Sequence, residues 1–336
     1  MNHTQPLQTP SASTPSLERL TSLVQEDMLH VNEVILSAIS QDVKLIADIG
    51  QHIIAAGGKR LRPAITIASA KLCGYDGTKH IKLAASVELI HTATLLHDDV
   101  VDRSGLRRGR PTVNAKWGNP PSILVGDFLY SRAFQLMVEL ESMDIMAILA
   151  DATNVIAEGE VLQLANIGNT ELSEALYFDV IRSKTAMLFQ AASHSAAVLA
   201  TDDADSISRL RLYGLHFGMA YQLVDDWLDY AGDAEVMGKN VGDDLAEGKA
   251  TLPLIYAMAN GAEAERQLIR DALRSKCSDQ LEAVCVAVTR SGALEYTREQ
   301  AQVQSNLALD AVLGLPANEY RDALEDLTRA AIGRIN

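Results

Sequence analysis

"SISRLRLYGLHFGMAYQLVDDWLDYA", residues 206–231, repeats apolar side chains at three- and four-residue spacing and ends in Asp225, Asp226 and Asp229. That period is the signature of a helix with one buried face. The same period runs through residues 17–39, 80–102, 123–142, 143–167, 251–260 and 318–335. "AMLFQAASHSAAVLA", residues 186–200, is apolar nearly all round, which predicts a helix enclosed by others. Alternating β-branched patterns are nearly absent, so the chain reads as all-α. Breaks such as "AAGGKRLRP", "RSGLRRGRP" and "KWGNPPS" are short, and none resembles a domain linker. The expected organisation is a disordered tail over residues 1–16, rich in Ser, Thr, Pro and Gln, followed by one helical domain over 17–336.

Bulk properties exclude several classes. The chain has 336 residues, 48% of them hydrophobic, a net charge of −15 and a pI near 4.9. An acidic chain lacks the basic face of a general nucleic-acid binder. No apolar run has the length of a membrane span. The first sixteen residues have no apolar core and no Lys or Arg, unlike a signal or transit peptide. Cys73, Cys277 and Cys285 lack metal or disulfide spacing and read as reduced thiols, which points to the cytoplasm.

The aspartates at 225, 226 and 229 have a counterpart at Asp98, Asp99 and Asp102. In each DDxxD, positions i and i+4 share one helix face. Each falls in the last turn of a long apolar helix, where negative charge opposes the helix dipole. One copy is as readily a solvated helix end as a ligand site; two copies accepting the same repulsion favour a bound cation. All-oxygen donors select a hard ion, and Mg²⁺ fits if phosphate completes its octahedron.

An acidic protein with local basic clusters suggests small anionic ligands. "GGKRLRP" gives Lys59, Arg60 and Arg62 behind two glycines, and "RSGLRRGRP" gives Arg103, Arg107, Arg108 and Arg110. Lys184 and Thr185 sit within an apolar run, where Lys needs a partner. Lys239 and Lys249 lie among glycines. Singly, each is as readily a surface ion-pair residue; together they supply the positive charge that diphosphate requires. His91 lies two turns before Asp98 and is open between core histidine and ligand; His97 reads as structural.

With these motifs in place, the sequence resembles the long-chain trans-polyprenyl diphosphate synthases, and among them the bacterial octaprenyl enzymes that make quinone side chains. The likeness rests on "GGKRLRP", "LLHDDVVDRSGLRRGRPTVN", "LVGDFLYSRAF", "EGEVLQL", "SKTAMLF", "YQLVDDWLDY" and "GKNVGDDLAEGKATLPL". Tyr221 and Ala250 depart from the usual pattern, at positions that touch no ligand. The resemblance implies an isoprenoid synthase fold, a bundle of mostly antiparallel helices around a central cavity, and a homodimer. It implies head-to-tail condensation of isopentenyl diphosphate onto an allylic diphosphate such as farnesyl diphosphate. Asp98, Asp102, Asp225 and Asp229 would bind three Mg²⁺ ions, two at the first motif and one at the second. Lys184, Thr185, Gln222, Lys239 and Arg107 would contact the allylic diphosphate. Lys59, Arg62, His91 and Arg108 would hold isopentenyl diphosphate.

Product length is partly readable by the same analogy. Thr94 and Ala93, four and five residues before Asp98, are small and leave the path open, and Met137 and Leu149 are expected at a deeper floor. Plain core packing is the alternative for each. Nonaprenyl, heptaprenyl and decaprenyl products stay open beside octaprenyl. A terpene cyclase is disfavoured by the Lys59/Arg62 cluster and the complete second motif. A non-catalytic synthase subunit is disfavoured because both motifs are intact.

Overall fold

The computed structural model describes residues 15–39, 43–231, 242–276 and 278–335. The helices are α1 (Pro15–Leu23), α2 (Gln25–Ile39), α3 (Lys44–Ala55), α4 (Leu61–Leu72), α5 (Lys79–Val101), α6 (Val113–Trp117), α7 (Asn119–Val138), α8 (Met143–Ala165) and α9 (Glu174–Ile181). They continue with α10 (Met187–Ala200), α11 (Ala204–Ala231), α12 (Asp243–Glu247), α13 (Leu252–Asn260), α14 (Glu263–Ser275), α15 (Leu281–Arg290), α16 (Ala293–Leu313) and α17 (Glu319–Ile332). The all-α expectation holds. Helix starts follow local chemistry: Ser142, Ser173 and Asn318 accept backbone N–H bonds from the first turns of α8, α9 and α17. Prolines open α7 in its first turn.

Helix α10 touches α4, α5, α8 and α11 and buries Leu188, Phe189, Ala191, Ala192, Ala196 and Ala197. Its serines do not break the core, because Ser193 Oγ donates to Leu210 O at 2.7 Å and Ser195 Oγ to Ala191 O at 2.6 Å. This is the enclosed helix that the sequence predicted. Around it, α4, α5, α7, α8, α10 and the first half of α11 form one apolar core. The second half of α11 packs with α12 to α16 in another. The two aspartate motifs end α5 and α11.

Three local features differ from the sequence reading. The helix expected over residues 17–39 is divided at Val24, although Val24 N still bonds Leu20 O at 3.1 Å. The break after Asp102 contains a hairpin, with β1 (Leu106–Arg107) antiparallel to β2 (Arg110–Pro111). Strands of two residues are too short to show a period. The run holding Lys184 is a π-helical turn, Arg182–Ala186, between α9 and α10. Such turns often mark functional sites.

Candidate active site

The first motif divides its aspartates. Asp98 and Asp102 each hold a lysine: Lys184 Nζ lies 3.8 Å from Asp98, and Lys249 Nζ lies 2.9 Å from Asp102. Asp99, one residue round the helix, is buried and takes Arg107, with Nε at 2.9 Å and Nη2 at 2.8 Å. Burial pushes the Asp98 carboxyl upward; Lys184 pulls it back, and Asp102 adds to the rise.

The second motif repeats the division. Asp226 is 2% exposed and accepts Tyr177 Oη at 2.5 Å and Gln222 Nε2 at 2.6 Å. Asp229 accepts backbone N–H groups of Gly242, Asp243 and Asp244 at 3.2–3.3 Å. Burial, then the Asp244 charge, pushes Asp229 up to about 8, against those backbone bonds. Asp226 is also pushed up to about 8 by burial and Asp244, while Tyr177 and Gln222 resist. Asp225 lies one turn before Asp229 on the same face of α11.

The basic residues converge as two groups. In the hairpin turn, Arg108 and Gly109 both have positive φ, 53° and 72°, the signature of a type I′ connection. That turn sends Arg107 to Asp99 and Arg108 back to the loop before α4, where its guanidinium donates to Gly57 O. A Cβ at Gly58 would meet the Arg108 guanidinium and displace it. Arg62 lies 3.2 Å from His91 Nε2 and 4.1 Å over the Phe189 ring. Guanidinium only donates, so Nε2 accepts and His91 carries its proton on Nδ1. Burial, then Arg62, Arg108, Arg107 and Arg60, hold His91 well below the ordinary histidine range. Burial likewise brings Arg62 down to about 10, with Glu88 opposing. Arg60, at φ 49°, binds Glu88 at 2.5 Å. A cavity of about 70 Å³ lies among Arg60, Glu88, His91, Asp99, Arg107 and Arg108. Lys59 is exposed in the adjoining loop.

Lys184 has the partners that its apolar setting demanded: Glu160 Oε2 and Gln163 Oε1, both at 2.8 Å, besides Asp98. Thr185 Oγ1 donates to Gln222 Oε1 at 2.8 Å. Lys239 lies outside the described residues, as do Cys277 and the tail over residues 1–14. His97 contacts Ile123 O and Asp127, away from these groups. Ala93, Met137 and Leu149 are fully buried members of the core around α10, and half-buried Thr94 bonds His91 O.

Sequence reasoning gave no role to Asp99, Asp226, Tyr177, Glu160, Gln163 or Glu247. Glu160 and Gln163 were detectable, since three-residue spacing sets them on one face of α8. The sequence shows Lys249 as a cation but not its partner. It holds both Asp102 and Glu247, the latter at 2.5 Å. Burial opposes its charge, but Asp102 and Glu247 outweigh that and raise its pKa.

Among the described residues, no three acidic, thiol or imidazole groups converge into a ready-made metal cage. The donor set nevertheless fits a hard divalent ion. Asp98 and Asp102 are arranged around cationic charge and offer only oxygen. Mg²⁺ characteristically takes one or two carboxylates and completes its shell with water and substrate phosphate.

Two acidic helix ends, the first held by two lysines and by an arginine at Asp99, suit an enzyme that handles metal-bound diphosphates. The family model described as polyprenyl synthetase matches residues 43–288, and the chain belongs to that family. It is a trans-prenyltransferase of the chain-elongating type. It is 47% identical to the octaprenyl diphosphate synthase of Escherichia coli K12 over 95% of this chain and 99% of that one. It is also 47% identical to an all-trans-nonaprenyl-diphosphate synthase (geranyl-diphosphate specific) of Rhodobacter capsulatus, over 93% and 96% of the two chains. A polyprenyl synthase of Caulobacter crescentus CB15, crystallised with calcium and isoprenyl diphosphate, superposes with a TM-score of 0.91 at 47% identity, covering 97% of this chain and 99% of that one. The family generally depends on a metal.

Proposed function

We propose that the chain is an octaprenyl diphosphate synthase that adds isopentenyl diphosphate repeatedly to an allylic primer such as farnesyl diphosphate, making a quinone side chain. The observation that carries this reading is two separate sets of contacts: Lys184 and Lys249 on Asp98 and Asp102, and Arg62 on His91 with Arg108 on the Gly57 carbonyl. One diphosphate is to be ionised and the other kept intact, so two separate sites are needed. Bound Mg²⁺ would supply concentrated positive charge to the leaving allylic diphosphate.

Asp98, Asp102, Asp225 and Asp229 would hold three ions, two at the first motif and one at the second. Lys184, Thr185, Gln222, Lys239 and Arg107 would meet the growing charge on the departing group. Lys59, Arg62, His91 and Arg108 would orient isopentenyl diphosphate so that its double bond lies against the allylic carbon. Neutral His91 accepts from Arg62 and keeps that guanidinium aimed. Small Ala93 and Thr94 would let the chain grow along α5 toward Met137 and Leu149.

The reading includes a homodimer in the cytoplasm. Leu124, Val138, Met143 and Val161 are 63–80% exposed on α7, α8 and their junction, a surface suited to a second copy. Light scattering of the purified protein should give twice the monomer mass, reduced to one by Leu124→Glu with Val161→Glu. For function, the protein is incubated with Mg²⁺, farnesyl diphosphate and isopentenyl diphosphate, and the dephosphorylated product is sized by chromatography. An eight-unit product is expected; a nine-unit product would favour the nonaprenyl alternative, and no elongated product would overturn the assignment.

A further inference from the structure

The two central aspartates of the motifs, Asp99 and Asp226, are both buried. Asp99 has an evident task in holding Arg107. Asp226 sits in a buried chain of hydrogen bonds that ends at a different place. Tyr177 Oη donates to Asp226 Oδ2 at 2.5 Å, and Gln222 Nε2 donates to Oδ1 at 2.6 Å. Gln222 Oε1 in turn accepts Thr185 Oγ1 at 2.8 Å. Tyr177 is 3% exposed and Asp226 2%, so neither exchanges these partners for water. The directions follow from the donors: Tyr177 Oη and Gln222 Nε2 each present a hydrogen to Asp226, so Gln222 turns Oε1 toward Thr185 and receives its hydroxyl.

The end of this chain is the π-helical turn of Lys184 and Thr185. That turn is gripped on two sides. A Cβ at Gly159 of α8 would collide with Ser183 and with the Lys184 backbone nitrogen, and a Cβ at Gly218 of α11 would collide with Ala186. Glycines at both contacts let two helices close on the turn from backbone to backbone. Tyr177 anchors α9, which leads directly into the turn, and Asp226 anchors it to α11.

We propose that Asp226 and Tyr177 are positioning residues that set the π turn, and with it the Lys184 ammonium and Thr185 hydroxyl, for the allylic diphosphate. The proposal rests on the prenyltransferase reading above. It separates the roles within the second motif: Asp225 and Asp229 would hold the metal, whereas Asp226 acts through Gln222 and Thr185. The low dielectric around the chain makes it stiff, and loss of one member leaves a buried charge or hydroxyl unpaired.

The test uses the full-length protein and an unreactive allylic thiolodiphosphate, bound in the presence of Mg²⁺ and followed by calorimetry. Tyr177→Phe and Asp226→Ala should each weaken analogue binding about tenfold, the effect of one hydrogen bond to a charged group. The KM for isopentenyl diphosphate and the Mg²⁺ concentration for half activity should stay at wild-type values. Asp226→Asn keeps an acceptor for Tyr177 but turns its NH2 toward the Gln222 donor, so it should restore only part of the binding that Asp226→Ala loses. Circular dichroism melts identify any variant that fails to fold; if Tyr177→Phe does, the comparison of Asp226→Asn with Asp226→Ala decides. Wild-type binding by Tyr177→Phe overturns the proposal. So does an Asp226→Asn that is as damaged as Asp226→Ala with a raised Mg²⁺ requirement, because Asp226 would then be a direct metal ligand. Failure of the wild-type protein to elongate any primer would instead strike the prenyltransferase reading.

Discussion

Replacing Lys249 by Met should expose the competition between an internal cation and an added one. Lys249 is 11% exposed in its side chain, and its Nζ lies 2.9 Å from Asp102. At that distance and an effective dielectric of about 20, the pair is worth about 6 kcal/mol before desolvation is counted. Returning the ammonium to water recovers several kcal/mol, so the net destabilisation of the metal-free protein should be about 2–3 kcal/mol. For a chain of 336 residues that corresponds to a fall in Tm of about 3–5 °C. The methionine fills the volume but leaves Asp102 and Glu247 without their shared partner. Mg²⁺ no longer has to displace an ammonium from Asp102, so the variant should gain more from Mg²⁺ than the wild type does. The assay is thermal melting followed by circular dichroism, in EDTA and over a Mg²⁺ titration. A variant that melts within about 1 °C of wild type in EDTA would refute the buried-pair argument. An equal Mg²⁺ gain in both proteins would refute the competition.

Asp98→Ala and Asp225→Ala should each lower turnover by a factor on the order of 10³ or more, with far-UV circular dichroism unchanged. Near-normal rates in both would remove the metal reading. Ala93→Tyr should stop elongation at about fifteen to twenty carbons if the chain runs along α5, where one turn rises about 5.4 Å, comparable with one isoprene unit; chromatography of an unchanged product would refute that path. Gly218→Ala should destabilise by about 1–3 kcal/mol, because the new methyl meets the Ala186 backbone, and a denaturant midpoint equal to wild type would contradict the grip on the π turn. His91 is held neutral in the folded state while the unfolded chain takes a proton near pH 6.5, so this group's contribution is present above that pH and lost below it. Wild type should therefore lose about 1.4 kcal/mol more than His91→Gln for each pH unit below 6.5, measured by urea unfolding. Parallel pH profiles would show that His91 is protonated in the folded protein.

Much of this site was legible because its chemistry is repeated on long helices. Asp98 and Asp102, like Asp225 and Asp229, are spaced by one turn, and a periodic helix gives each pair a face before any coordinate is known. The enclosed position of α10 followed in the same way from residues 186–200. The rest depends on contacts between distant segments. The role of Tyr177 rests on Asp226, 49 positions away, and no local pattern marks it. The π turn at Lys184 exists where Gly159 and Gly218 let two helices approach, and single glycines in helical runs carry no such message by themselves. Lys249 meets Asp102 across 147 positions, so its cationic character was visible and its address was not.

The hairpin between Asp102 and Thr112 works as a sorting device for two adjacent identical side chains. Arg107 and Arg108 have the same charge and reach, and only the backbone decides which goes where. The left-handed φ of Arg108 is unfavourable for a side chain with a Cβ, by roughly 1 kcal/mol. The direction that this φ gives the backbone, at that small cost, sends the second arginine to the Gly57 carbonyl while the first goes to Asp99. A residue gained or lost in this turn would leave the composition of the site intact and exchange the addresses. The length of the segment, more than its charge, is therefore what the chain has to preserve here.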